Sequence, residues 1–543
     1  MASETEKDDA ALKKLEDRLL KGVEFNSRAV ECMKGTGGDI KDDVRKAIEE
    51  GKNVVWITGF PGVGKSALAS SIASDLVTQQ QPTFYFRFDR AKPGVNTNAL
   101  WRLIAYKLAS RYSSVRKSIL EWLQNEDVDL TSPNIDSLFT GLITAPFSKL
   151  ASDSTSLPSD HCIIIVIDAL DECGGLDGLR SRDRKNLLLT LAHWPQLDDR
   201  FKLVVTSREE GDITRTLTSI STHISILSGG LLETDSQARE RAFKDVQAFF
   251  VERFSNITAS FPESLPSNWP GNEDVGVLTR RAAGVFQWAV TVANFLDSAP
   301  NPKARLEQIM RETPESSGMQ ELYLLYSNIL RTLCKDVKGD EMKDLVSILG
   351  TMVFAKRPLN NADYVGLLGI DQSTVEFIRN GLRSVIEPGD TLHFTHQSFT
   401  DYLLSDQCLS EFTIKEDYQQ QILAESCLRT MFKELRFNIC NLETSGLKNA
   451  DVPDIEAKVK NCLPTCLSYS CCFFADHLSC TPFNESLMSL LKDVSYGKLL
   501  YLMEALSLLK EINRLPPLLR EVLRWSNVRT CWFRPNPNFD ISA

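Results

Sequence analysis

No stretch of this sequence is apolar for the roughly 18 to 20 residues that crossing a bilayer requires. The opening MASETEKDDA also lacks the basic-then-apolar plan of a secretory signal, so the expected location is the cytoplasm. Positive charge is not in excess: 61 Lys and Arg against 72 Asp and Glu leave a formal net charge of −11, which argues against broad attraction to nucleic acid or an anionic membrane. Paired C-x-x-C knuckles are missing. The 13 cysteines, an odd number, scatter through apolar segments such as HCIIIV, and a cytosolic setting keeps them reduced, so no disulfide framework is expected. Cys462, Cys466, Cys471, Cys472, His477 and Cys480 crowd one region, but Leu463, Leu467, Tyr469, Phe473 and Phe474 among them favour a packed helical core over a zinc site. No repeat with a period of roughly 20 to 50 residues suggests a propeller or solenoid. Nor does any Ser-His-Asp or Cys-His arrangement have local sequence that supports nucleophilic catalysis.

What is present is the composition of a globular protein, 43% hydrophobic and 24% charged over 543 residues. That length is too great for one core and predicts roughly three to five units. Leu12, Leu15, Leu19, Leu20 and Val23 recur at helical spacing within 10–30, predicting an amphipathic helix that docks on its own chain or on a partner, the first being the simpler reading. From 53 to about 230, short β-rich runs (NVVWIT, TFYFRF, CIIIVID, FKLVVTS, HISIL) alternate with helical stretches, the pattern of a parallel sheet with crossover helices. SDSTSLPSD at 152–160 reads as an exposed loop. Beyond about 235 helical periodicity takes over, as at 239–254 and 276–297, and EPGD between SVI and LHFT predicts a hairpin after helices at 341–354, 361–368 and 373–383. Helices followed by a small hairpin suggest a winged helix.

The chemistry is concentrated in GFPGVGKS at 59–66, which fits G-x-x-x-x-G-K-[ST] between the strand VVWIT and the helix SALASSIASDL. Gly59, Gly62 and Gly64 let the backbone curl so that N–H groups face phosphate oxygens, and the following helix aims its positive end at the same charge. Pro61, Val63 and Ala67 belong to the same nucleotide-binding wrap. Lys65 is placed to reach the β- and γ-phosphates, and Ser66 to offer its hydroxyl to Mg²⁺. A glycine-rich turn with no ligand is the bland alternative, and the strand, Lys-Ser pair and helix weigh against it. In IIIVIDALDEC at 163–173, Asp168 is the expected metal-side carboxylate, delivered from the strand neighbouring the loop strand. Asp171 and Glu172 follow where a carboxylate orients or deprotonates the attacking water, and Asp171 has a competing reading as a helix cap. Arg208, ending KLVVTSR, either senses the γ-phosphate or is a solvated surface arginine.

GFPGVGKS, IDALDEC and VVTSR together resemble the NACHT branch of the STAND class of signal-transducing NTPases, and the Asp-Ala-Leu-Asp-Glu form of the second segment is a fairly specific mark of that branch. ECMKGTGGDIKDDVRKAIEEGKNVVWITG, RRAAGVFQWAVTVANFL and LHFTHQSFTDYLL resemble fungal members. The resemblance implies an N-terminal helical segment (1–30), an α/β NACHT domain (31–232), a helical domain (233–335), a winged helix (336–410) and a C-terminal helical domain (411–543). It further implies ATP or ADP with Mg²⁺, a lid closed over ADP, and a winged-helix histidine on the β-phosphate, a place that His396 fits better than His393. Two departures stand out. Gly284, Val285 and Phe286 occupy the place of a base-contacting proline, and Gly35, Thr36 and Gly37 stand where fungal relatives usually show Gly-Thr-Arg. The chain stops at Ala543 without the repeat sensor that many relatives carry. That suggests a short form or a separate sensing partner.

These readings lead to a regulatory NTPase switch that hydrolyses ATP slowly and self-associates on opening. The competing class is an interaction scaffold holding a structural ADP, and a metabolic phosphotransferase is a third reading for which nothing after 235 offers an acceptor pocket.

Overall fold

A computed structural model describes residues 4–532 apart from 22, 24–31, 33–35, 60, 91–94, 126, 127, 129, 131–134, 153–161, 175–180, 227–235, 312–317, 336, 338 and 445. Its contacts divide the chain into two compact units, Met1–Leu325 and Tyr326–Ala543, with the division inside the helix Gly318–Leu333. The divisions read from sequence at 30/31 and 232/233, and the loop expected at 152–160 beyond Ser152, lie outside the described residues.

The first unit is built on β1 (Val54–Thr58), β2 (Thr83–Arg87), β3 (Ile163–Asp168), β4 (Phe201–Ser207) and β5 (Thr222–Ser225). All pair in parallel, in the order β2-β3-β4-β1-β5. The central strands are apolar on both faces because both faces are covered. Val54, Trp56, Ile163, Ile165, Ile167, Leu203 and Val205 join one core cluster. Val55, Ile57, Ile164, Val166 and Val204 join the other, with Leu68, Ala69 and Ile72 of the helix Lys65–Thr78 and Val44 and Ala47 of the helix Gly38–Glu49. Continuous apolar runs are what a doubly covered parallel sheet requires.

The N-terminal helix runs Glu4–Leu19, earlier than the spacing predicts. It docks on its own unit. Leu15 and Leu19 are fully buried in the cluster that holds Trp101, Arg102 Nε donates to the Leu19 carbonyl at 2.8 Å, and Arg116 pairs with Asp8 at 3.0 Å. After the sheet come the helices Ser236–Ser260, Asn272–Ala282, Phe286–Asp297, Pro302–Met310 and Gly318–Leu333. The periodicity at 276–297 is therefore broken, because Ala283 (φ 47°) and Gly284 (φ 80°) take left-handed conformations that end one helix and turn the chain into the next.

In the second unit the helices Asp340–Phe354, Asn361–Leu368 and Gln372–Gly381 precede the expected hairpin. Glu387 N–H donates to the His393 carbonyl at 3.0 Å and Thr395 N–H to the Val385 carbonyl at 2.9 Å. A third segment, β6 (Leu359–Asn360), unexpected from sequence, pairs antiparallel with β7 (Thr391–Leu392) of the hairpin. The tail is helical. In the helix Thr465–Ser479, the His477 ring bonds Gln420 Oε1 through Nδ1 and the Tyr469 hydroxyl through Nε2, each at 2.7 Å. Burial lowers the His477 pKa to about 3. Both ring nitrogens thus serve the core. Among the described residues no helix is long and apolar enough to cross a membrane.

Candidate nucleotide site

The loop 59–64 leaves the end of β1 and feeds the helix Lys65–Thr78. The first turn of any helix has backbone N–H groups without intrahelical partners, and here that turn carries Lys65, Ser66 and Ala67. Lys65 Nζ donates to the Gly59 carbonyl at 2.7 Å, folded back along the loop. Burial lowers the Lys65 ammonium to about 8; Asp171, Asp168 and Glu172 oppose the shift and Arg208 adds to it. Gly62 sits at φ 80°, where a side chain is strained.

Ser66 Oγ donates to Asp168 Oδ1 at 3.1 Å across 102 positions of sequence, bringing together the two residues expected at a metal. The delivery differs from the sequence expectation in one respect: β4 lies between β1 and β3, so Asp168 comes from the next strand but one. Asp168 ends β3, one residue after Ile167, which lies opposite Val205 of β4. The carboxylate is fully buried. Thr206 Oγ1 donates to Oδ1 at 2.6 Å and the Tyr85 hydroxyl to Oδ2 at 2.9 Å, while Arg87 Nε stands 3.7 Å from Oδ2.

Asp171 and Glu172 lie in the short turn Leu170–Glu172, which follows left-handed Ala169. The cap reading of Asp171 is not what is seen: Ala169 is the cap position, and Asp171 accepts from the Arg208 backbone N–H at 3.1 Å while its Oδ2 lies 3.2 Å from Arg208 Nε. Arg208 is thus held at the site rather than solvated. The Asp171 carbonyl accepts from Arg90 Nη2 and from fully buried Arg184 Nη1, both at 2.8 Å. Arg184 also binds Asp212 through Nε at 2.7 Å and Nη2 at 2.8 Å, and Glu210 through Nη2 at 2.6 Å. Glu172 Oε2 accepts from the Arg90 N–H at 3.3 Å. Burial raises the Glu172 carboxyl to about 7, with Asp171 and Asp89 adding to the shift and Arg87 and Arg90 opposing it.

Sequence reasoning missed Tyr85, Thr206, Arg90 and Arg184. Tyr85 and Arg90 carried a signal, since they flank the end of TFYFRF, a strand that pairs with β3 and sets Arg87 opposite Asp168. Arg184 carried none, as its carboxylate partners lie 26 to 28 positions ahead. The departure at Gly37 has a structural reason. Gly37 is left-handed (φ 68°), a Cβ there would stand 3.3 Å from Leu68 Cδ1, and its N–H donates to Asp245 Oδ2 at 3.1 Å. An arginine in its place would be strained. His396 belongs to the other unit, where it caps the helix Gln397–Leu403, Nδ1 accepting from the Ser398 N–H at 3.1 Å.

A loop joining β1 to a helix, a hydroxyl beside the carboxylate of a strand two places away and an arginine at the end of the strand between them form the frame of a phosphate-binding P-loop fold. Residues 40–208 match the family model described as Nephrocystin 3, N-terminal. Over this stretch the chain is similar to that family. The signal transduction ATPase with numerous domains and a tetratricopeptide repeat sensor from Pyrococcus horikoshii is 14% identical, with 94% of this chain and 67% of that chain covered at a TM-score of 0.38. Drosophila ORC bound to DNA is 15% identical, with 72% and 82% covered at a TM-score of 0.27. No curated protein matches the sequence.

Proposed function

We propose that this protein is a regulatory switch that binds ADP or ATP with Mg²⁺, hydrolyses ATP slowly and uses the exchange to control opening and self-association. The observation that carries the reading is the meeting of Lys65, Ser66 and Asp168 at one helix N-terminus. Ser66 and Asp168 present hard oxygen donors 3.1 Å apart, the donor type that Mg²⁺ takes, and they are the residues that would hold it. The ion, when bound, would neutralise phosphate charge. Lys65 would leave the Gly59 carbonyl for the β- and γ-phosphates, and Asp168 is held for its task by Tyr85 and Thr206. Arg208, positioned by Asp171, would face the terminal phosphate. Glu172, its carboxyl raised to about 7 by burial, would orient the attacking water and, once ionised, accept a proton from it.

In this reading the segments 340–354, 361–368, 372–381 and the hairpin form a winged helix, and the resemblance gives His396 the role of a β-phosphate contact. To reverse a closed majority the two states must differ in nucleotide affinity by about 10⁴-fold, roughly 5.5 kcal/mol. Adenine preference and the fungal affinity belong to the same reading, carried by the residues quoted for the resemblance.

The test is to purify the protein, identify by chromatography any nucleotide that travels with it, and follow turnover of ATP and GTP for wild type and Lys65→Ala. Co-purified ADP with slow, Lys65-dependent hydrolysis is expected. Bound ADP with no turnover would replace the switch by a scaffold, and no nucleotide binding at all would sink both.

A further inference from the structure

The P-loop is also held from outside by a residue far along the chain. Gln287, in the first turn of the helix Phe286–Asp297, donates its backbone N–H to the Gly62 carbonyl at 2.8 Å. The contact is tight as well as polar. A Cβ added at Gly62 would stand 2.5 Å from Gln287 Cβ, 3.4 Å from Val285 Cγ1 and 3.6 Å from Gln287 Cγ. The turn that presents Gln287 is anchored. Val285 is nearly fully buried and its N–H donates to the Ala282 carbonyl at 2.8 Å. Buried Trp288 donates through Nε1 to the Glu321 carbonyl at 3.2 Å, and Arg281 clamps the Glu321 carboxylate at 2.8 Å and the Ile309 carbonyl at 2.6 Å.

A trans peptide directs its C=O and the following N–H in opposite senses. With the Gly62 carbonyl committed to Gln287, the Val63 N–H is turned away from the helix Phe286–Asp297. An N–H so aimed is available to an anion, whereas a rotated peptide would put a carbonyl dipole there instead. We propose that the backbone amide of Gln287 is a positioning group for phosphate binding, which fixes the Gly62–Val63 peptide in its anion-accepting orientation and so couples the helix Phe286–Asp297 to occupancy of the loop. This rests on the nucleotide-binding reading above and adds to it a specific contact between loop and helix. Because linkage is reciprocal, whatever draws the helix away must weaken the phosphate site, and a bound phosphate must hold the helix in place.

The experiment measures ADP affinity by calorimetry for the full chain, as wild type, Gly62→Ala and the double variant Gly62→Ala with Gln287→Gly. Amide exchange of Gln287 is followed with and without ADP, and ligand-free melting temperatures report on folding. A hydrogen bond lost in this setting corresponds to about tenfold in affinity, so Gly62→Ala should weaken ADP binding by at least that factor. The double variant frees the space that the new methyl needs, and should return ADP affinity to within about threefold of wild type on the same scale. The left-handed strain at position 62 persists in both variants, so their melting temperatures should stay depressed alike. That separates rescue of the contact from rescue of the fold. ADP should slow exchange of the Gln287 amide about tenfold in the wild type. If wild type binds ADP but the double variant is as weak as Gly62→Ala, or the Gln287 amide ignores ADP, the proposal is overturned while the nucleotide site stands. If wild type binds no nucleotide, the functional reading fails first, and this coupling with it.

Discussion

Arg184 is fully buried, and its guanidinium meets Asp212, Glu210 and the Asp171 carbonyl. Removing such a partner strands the carboxylates that faced it, at about 3–5 kcal/mol. Because Asp212 and Glu210 keep about a quarter of their side-chain exposure, the low end applies. Arg184→Leu should lower stability by about 3 kcal/mol in urea denaturation, and a loss under about 1 kcal/mol would show the cluster to be a surface pair in energetic terms. Glu172 supports a prediction of definite sign. Its folded pKa, about 7, lies above its ordinary 4.5, so the native state binds more protons between those values. Its contribution is fully present below pH 4.5 and fades as pH rises to 7, with a slope of up to about 1.4 kcal/mol per pH unit. Glu172→Gln lacks this titration, so the difference between wild-type and variant unfolding free energies should change between pH 4.5 and 7, and parallel curves would contradict the burial assigned to this carboxyl.

The helix Thr465–Ser479 shows the opposite sign. His477 is held neutral, its pKa lowered from 6.5 to about 3, so the unfolded chain binds a proton that the folded one refuses. Stability is fully present above pH 6.5 and declines as pH falls towards 3, again by up to about 1.4 kcal/mol per unit. His477→Gln should flatten that acid limb in chemical denaturation read from Tyr326–Ala543, and an unchanged limb would remove His477 from the account. The elements themselves show what pattern can reveal. NVVWIT, CIIIVID and FKLVVTS became strands because a doubly covered sheet needs uninterrupted apolar residues, and the P-loop was legible because strand, turn and helix are contiguous. Strand order was not legible, which is why β4 was not expected between β1 and β3. Neither was β6, whose two residues carry no periodicity. The contacts of Tyr85 with Asp168 and of Gln287 with Gly62 span 83 and 225 positions, distances over which no local signal survives.

At the scale of the whole chain, ADP at a hundred times its dissociation constant should stabilise the binding unit by about 2.7 kcal/mol if the unfolded chain does not bind. Hydrogen exchange then says which unit feels it. Protection is expected in Met1–Leu325, and the lid reading of His396 requires protection around the helix Gln397–Leu403 of Tyr326–Ala543 as well. ADP that binds tightly yet protects only the first unit would leave His396 as a helix cap and nothing more.

The dense pairing around the Leu170–Glu172 turn also has a bearing on how a ligand arrives. Lys65, Arg87, Arg90, Arg184 and Arg208 stand among Asp89, Asp168, Asp171, Glu172, Glu210 and Asp212, so cations and anions nearly cancel before any phosphate enters. A pocket so balanced, in a chain of net charge −11, casts no long-range field that would draw in a polyanion. Nucleotide must find it by unassisted diffusion against a mild repulsion, and added salt, by screening that repulsion, should quicken capture where an electrostatically steered site would slow.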